Sequence, residues 1–181
     1  MSPHRVACSC FLVLVTFSIF ARGGQDAAAK PKPTVPTKQL QALVPEQLAG
    51  AKRLKVWGDD ASESDPASTA SAEFAAREGD ASAPRVSIQI TDHVNYPGGA
   101  KESVSWPAEG TDTETAEGID RLTKIAGHPA YETYEKNNRL GRIEIVVADR
   151  FAVLIGTLNL TPEQIRKAAE SLPLDKLAAL K

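Results

Sequence analysis

The chain has 181 residues, 42% hydrophobic and 24% charged, the size and make-up of one ordinary soluble domain rather than two large ones. With 21 Lys and Arg against 23 Asp and Glu, its net charge of −2 excludes a nucleic-acid binder that works by bulk positive charge. Its two cysteines, Cys8 and Cys10, lie too close to the N-terminus to supply a disulfide framework.

At the N-terminus, His4 and Arg5 precede an apolar run from Val6 to Phe20, and Ala21-Arg22-Gly23 places small residues at −3 and −1 of a cleavage point. The run is shorter than the ~20 residues a membrane-spanning helix needs. Residues 1–23 are therefore expected to be a secretory signal. The protein would then be exported to the periplasm or cell envelope, with no stable membrane span once the signal is removed. Both cysteines leave with it. A lipid-modified cysteine would need the apolar run ahead of it, and here the run follows.

Residues 24–39 are rich in Ala, Lys and Pro, with Lys30-Pro31-Lys32-Pro33 and Val35-Pro36 favouring extended backbone, so they are expected to be a disordered tether. A single domain is expected over 40–181. Leu40, Leu43, Val44 and Leu48 have helical spacing broken by Pro45, which predicts two short helical turns ending at Gly50. Leu54 to Trp57 reads as a strand, and Gly58 to Pro66 as an acidic exposed loop. Ala70, Ala72, Phe74 and Ala76 alternate with Ser71, Glu73, Ala75 and Arg77, the period of a second strand.

The clearest strand is Arg85 to Asp92, with Val86, Ile88 and Ile90 on one face and Arg85, Ser87, Gln89 and Thr91 on the other. Asn95 to Gly99 breaks the chain, and a short helix is expected to run to Trp106. Ile119 to Ala126 fits either a helix or a strand. Gly118 at the head of the span and a turn at Gly127-His128-Pro129-Ala130 favour a strand–turn–strand pair continuing over Tyr131 to Lys136. Arg142 to Ala148 and Phe151 to Thr157 form a hairpin across Asp149-Arg150, apolar on both faces and so expected to be central. Thr161, Pro162 and Gln164 make a capping box for a helix whose apolar stripe is Ile165, Ala168, Ala169 and Leu172, and a shorter helix follows Pro173.

Few residues carry chemistry. His128, Glu132 and Glu135 have the spacing of metal ligands on paper, but on a strand Glu135 points away from the other two. Gly98-Gly99-Ala100-Lys101 lacks both the second glycine and the hydroxyl residue of a phosphate loop, and no Gly-x-Ser-x-Gly elbow occurs. The acidic loop lacks calcium-loop spacing, and the aromatics are too scattered for a base-stacking platform. Asp92 and His93 end the clearest strand and enter a glycine-containing loop that also holds Tyr96, an aromatic suited to interfaces. These three residues form the expected docking loop.

The stretch Ile125 to Glu132, with Gly127-x-Pro129-Ala130 at its centre, resembles small exported bacterial domains of the PsbP/Mog1-like type. In element order the likeness runs from about Leu40 to the C-terminus. It implies an antiparallel sheet with helices packed on it and a non-catalytic accessory role, and it carries over no functional residue. The expected fold is α+β, with six or seven antiparallel strands and the C-terminal helix covering the sheet. The expected function is that of an exported, non-catalytic envelope domain with a binding or accessory role, using no cofactor and no metal. Its partner would be an envelope protein or a small ligand, not nucleic acid. The alternative is a hydrolase-type or metal-dependent enzyme using Asp92 and His93.

Overall fold

The computed structural model describes residues 30–80, 82–104, 106–107 and 110–180. The expected signal at 1–23 and the first part of the expected tether lie outside the described residues.

Alternation with a period of two carries most of the chain into strands, and every strand pairs antiparallel with its neighbours. The strands are β1 (Gln47–Leu48), β2 (Ala51–Trp57), β3 (Ser68–Ala75), β4 (Arg85–Asp92), β5 (Asp112–Glu114), β6 (Gly118–Ile125), β7 (His128–Glu135), β8 (Leu140–Val147) and β9 (Phe151–Leu158). They form one sheet in the order β1-β2-β3-β4-β9-β8-β7-β6-β5. Nine strands replace the six or seven expected. The two additional ones, β1 and β5, are edge pieces of two and three residues with no apolar period of their own; pairing with β2 and β6 makes them strands. Helical content is small: α1 (Thr37–Gln41), α2 (Gly99–Ser103), α3 (Pro162–Glu170) and α4 (Leu174–Ala178). Among the described residues the result is a nine-stranded antiparallel sheet with four short helices rather than the α+β fold with six or seven strands expected.

One face of the sheet is the core. Rows such as Ala72, Ile88, Ile155 and Ile143 cross four strands in register. Leu40 of α1, Ile165, Ala168 and Ala169 of α3, and Leu174 and Leu177 of α4 pack against them in one apolar cluster. The N-terminus of α3 is closed by the reciprocal bonds of Thr161 and Gln164. On the opposite face, α2 sits at the β8–β9 turn, and the chain beyond it brings Trp106 Nε1 to the Glu144 carboxylate at 2.8 Å.

Turn chemistry moves several expected boundaries. Ala126 (φ 47°) and Gly127 (φ 86°) connect the paired residues Ile125 and His128, the positive-φ pair of a two-residue hairpin. Residues 118–125 are thus a strand, and the turn falls two residues earlier than expected, leaving His128 and Pro129 inside β7. Pro129 is tolerated there because pairing with β8 begins only at Ala130. The same device, Ala49 and Gly50, joins Leu48 to Ala51, so the second expected helical turn near Pro45 is a hairpin instead. The helix expected to reach Trp106 ends at Ser103, where Val104 turns extended.

Candidate functional site

Asp92, His93 and Tyr96 follow one another out of β4, and strand alternation sends the first two in opposite directions. Asp92 points to the core face and is fully buried. Both of its oxygens are engaged. Arg150 donates from Nε to Oδ1 at 2.8 Å and from a terminal nitrogen to Oδ2 at 2.7 Å. The Val94 N–H adds a bond to Oδ1 at 3.1 Å, and the Val35 N–H one to Oδ2 at 2.7 Å.

The last of these donors comes from the stretch expected to be a disordered tether. Val35 is buried, its carbonyl accepts from buried Ser68 Oγ at 2.6 Å, and the Pro33 carbonyl accepts from Arg150 at 3.3 Å. One step further out, the Asn95 side chain accepts from the Lys32 N–H at 2.7 Å and donates to the Lys32 carbonyl at 2.8 Å. The Thr37 N–H donates to Asp60 at 2.7 Å, and that bond holds the Asp60 carboxyl below its ordinary pKa. Residues 32–37 are therefore a strap laid along the end of β4, and the folded unit begins before Leu40. Proline-rich backbone leaves its own N–H and C=O groups without local partners, which makes it ready to accept such long-range ones.

His93 faces the other side. Its N–H continues the ladder by donating to the Arg150 carbonyl at 2.8 Å, and its ring meets Tyr96 edge-on with centroids 5.5 Å apart. Nδ1 is buried and has no hydrogen-bond partner, so the neighbouring carboxylate does not orient the imidazole through it. Burial holds His93 below its ordinary pKa, outweighing the attraction of Asp92 and Asp65. A cavity of about 330 Å³ opens beside the ring, lined among others by Asp65, Thr69, Gln89, Thr91, His93 and exposed Tyr96. That volume falls at the lower end of the range for small-molecule sites. A wider depression of about 980 Å³ lies toward the other end of the strands. Its walls mix Glu73, Arg85, Asp120 and Arg142, and none of its side chains holds a buried polar atom without a partner, so the smaller cavity is the better candidate.

Gly98 and Gly99 belong to the scaffold of this loop. Both have positive φ, and a Cβ on Gly99 would stand 2.4 Å from the Asp149 carbonyl oxygen, which accepts from the Ala100 N–H at 3.1 Å. The glycine pair lets the loop close onto the β8–β9 turn.

His128 and Glu132 share the core face of β7, and Glu135 points the other way. Glu132 is buried between two guanidinium groups, Arg121 Nε at 2.9 Å and Arg166 of α3 at 2.6 Å. This triad was not apparent from sequence. Arg121 is paired directly across from Glu132 in the sheet, but Arg166 arrives from a helix 34 residues away. Among the described residues, no group of three His, Cys, Asp or Glu side chains is arranged to hold a metal ion. Among them, too, no helix is long and apolar enough to cross a membrane.

No family model, curated protein or solved structure matches this chain.

Proposed function

We propose that this protein is an exported, non-catalytic domain with a binding or accessory role in the cell envelope, and that its ligand or partner docks at the cavity beside His93 and Tyr96. The observation that carries the proposal is the division of labour between adjacent residues. Asp92, the carboxylate that would serve a catalytic His93, has both oxygens engaged by four donors and holds the strap in place. His93 and Tyr96 instead offer an imidazole whose charging burial disfavours and an exposed phenol ring to an open cavity walled by Pro66, Ala67, Thr69, Thr91, Gln89 and the Asp65 carboxylate. Such a surface recognises; it does not supply a nucleophile with an oriented base.

The test is recovery of partners from an envelope extract by the wild-type protein and by a His93→Ala, Tyr96→Ala double variant. A partner retained by the first and lost by the second, at unchanged melting temperature, supports the proposal. Equal recovery by both overturns the assignment of the cavity. Turnover of an ester or phosphoester substrate that vanishes in His93→Ala would overturn the non-catalytic reading in favour of a hydrolase using Asp92 and His93. Export is tested separately by N-terminal sequencing of protein from the native cell fraction, where an intact Met1 or Ser2 start would count against it.

A further inference from the structure

One edge of the sheet is covered for only part of its length. β1 pairs with β2 at Ala51 and Lys52 alone, and the Arg53 N–H reaches the Glu46 carbonyl at 2.9 Å. From Leu54 onward no strand lies on that side among the described residues, although β3 is paired on the other as far as Trp57. The pairing with β3 continues one step beyond β2, where the Thr69 N–H donates to the Asp59 carbonyl at 2.8 Å. Backbone groups of alternate residues on a strand point to opposite sides. Lys55, Trp57 and Asp59 therefore turn theirs toward β3, and Val56 and Gly58 turn theirs outward. Val56 and Trp57 are also two of the five exposed large hydrophobic residues among the described residues. Such an edge pairs with an extended chain that offers matching hydrogen bonds.

Around Trp57 the segment is its own electrostatic complement. Lys55, Trp57 and Asp59 share one face, with a cation two residues before the ring and an anion two residues after it. A two-fold axis through Trp57 sets Lys55 opposite the partner's Asp59, Trp57 opposite the partner's Trp57, and Asp59 opposite the partner's Lys55. Val56 then exchanges both backbone bonds with the partner's Gly58, and Gly58 with the partner's Val56. The two indole rings fall between these bonded pairs, where opposed side chains approach most closely. The Asp59 carboxylate has no side-chain partner among the described residues. Lys55 is already held on this face by Glu73 at 3.1 Å and by the Trp57 ring, whose centre lies 4.5 Å away. Other two-fold registers that keep side chains on matching faces do worse. Centring on Lys55 sets two ammonium groups together, and centring on Val56 drives the partner chain into Glu46, which already holds the Arg53 N–H. A foreign strand would have to carry an acid, an aromatic and a base at alternate positions, whereas a second copy supplies all three by symmetry. We propose that two copies of this chain associate through the free edge of β2, antiparallel over Lys55 to Asp59, and continue the sheet from one copy into the other. Nothing in this association requires the cavity at His93.

The test follows the wild-type protein by sedimentation velocity and by NMR-detected hydrogen exchange from about 50 μM to about 1 mM. The proposal expects a dimer that grows with concentration. The Val56 and Gly58 amides should become protected as it forms, while those of Lys55 and Trp57, already bonded to β3, stay unchanged. Lys55→Glu and Asp59→Lys each oppose like charges and should weaken the dimer about tenfold or more at unchanged melting temperature. Mixed one to one, the two variants should restore it, because acids at 55 and 59 then face lysines at 59 and 55. A chain that stays monomeric throughout, a dimer whose Val56 and Gly58 amides remain unprotected, or variants that dimerise as well alone as mixed would each overturn the proposal. Should a variant not fold, the exchange pattern of the wild type decides by itself. Protection of Val56 and Gly58 in a monomer only after a Thr–Val peptide is added would give the edge to another protein's strand, and would overturn it too.

Discussion

Arg150 grips Asp92 with two parallel hydrogen bonds, 2.8 and 2.7 Å long, across 58 residues of sequence. The pair joins the end of β4 to the start of β9, and both partners also reach the strap, Asp92 through the Val35 N–H and Arg150 through the Pro33 carbonyl. One ion pair thus ties two central strands to the proline-rich strap at residues 32–37. Bidentate geometry with every remaining lone pair satisfied is the condition under which a buried pair is kept rather than replaced.

Removing the carboxylate should loosen all three segments together. Asp92→Ala is expected to cost about 3 kcal/mol, the low end for a broken buried pair, because Arg150 retains some contact with water. Urea unfolding measures the loss. Hydrogen exchange at the Val35 amide should become fast in the variant while the amides of Ile143 and Ile145 stay protected. A Val35 amide that remains slow would show that the strap is held by its apolar contacts alone.

The Glu132 triad predicts strong coupling. Glu132→Gln leaves Arg121 and Arg166 facing each other without a counter-charge and should cost about 3 kcal/mol. Adding Arg166→Met to Glu132→Gln should restore part of that loss, so the two changes will be far from additive. Additive losses in a double-mutant cycle would mean that Arg166 is a solvent-facing residue that merely passes close to the carboxylate.

Acid should weaken the fold partly through His93. Its folded pKa lies below the ordinary value of 6.5 because burial disfavours the imidazolium. The unfolded chain therefore binds a proton first as pH falls, and stability declines from about pH 6.5 downward to the folded value. His93→Gln should show a shallower decline over that window when urea midpoints are compared at several pH values. Identical slopes for both proteins would contradict the burial of this ring.

Two of the hairpins are closed by a two-residue Ala-Gly turn, in which the alanine is unfavourable. Ala126 and Ala49 hold positive φ at the first position of turns that Asn fits better. Left-handed backbone costs a non-glycine residue about 1–2 kcal/mol, and Asn lowers that cost by local hydrogen bonding. Ala126→Asn should therefore raise stability by about 0.5–1 kcal/mol, and Gly127→Ala should lower it, both read from thermal unfolding. A stability loss with Ala126→Asn would refute the turn assignment.

Local pattern alone was sufficient for six of the seven longer strands and for α3; for β6 it left helix and strand open, and the turn signals around Gly127 favoured the strand. Val86, Ile88 and Ile90 alternate with polar neighbours, and Thr161, Pro162 and Gln164 announce a helix start, because side-chain period and capping act over a few residues. It was sufficient, too, to single out Asp92, His93 and Tyr96 as neighbours in one loop. Their opposite fates were not legible, since these depend on which face of β4 meets Arg150 and which meets the cavity. Edge strands β1 and β5 exist only because a longer strand offers them hydrogen bonds, so no periodicity within them could have been read. The strap was misread for the same reason. Proline and lysine composition describes how residues 32–37 behave alone, whereas their place is set by donors and acceptors at positions 60, 68, 92, 95 and 150. Short-range preference determined the longer strands and α3; only the pairing of the strands into one open sheet brought a buried aspartate, an arginine and a proline-rich stretch of chain to one point, because long-range hydrogen bonds leave no trace in local spacing.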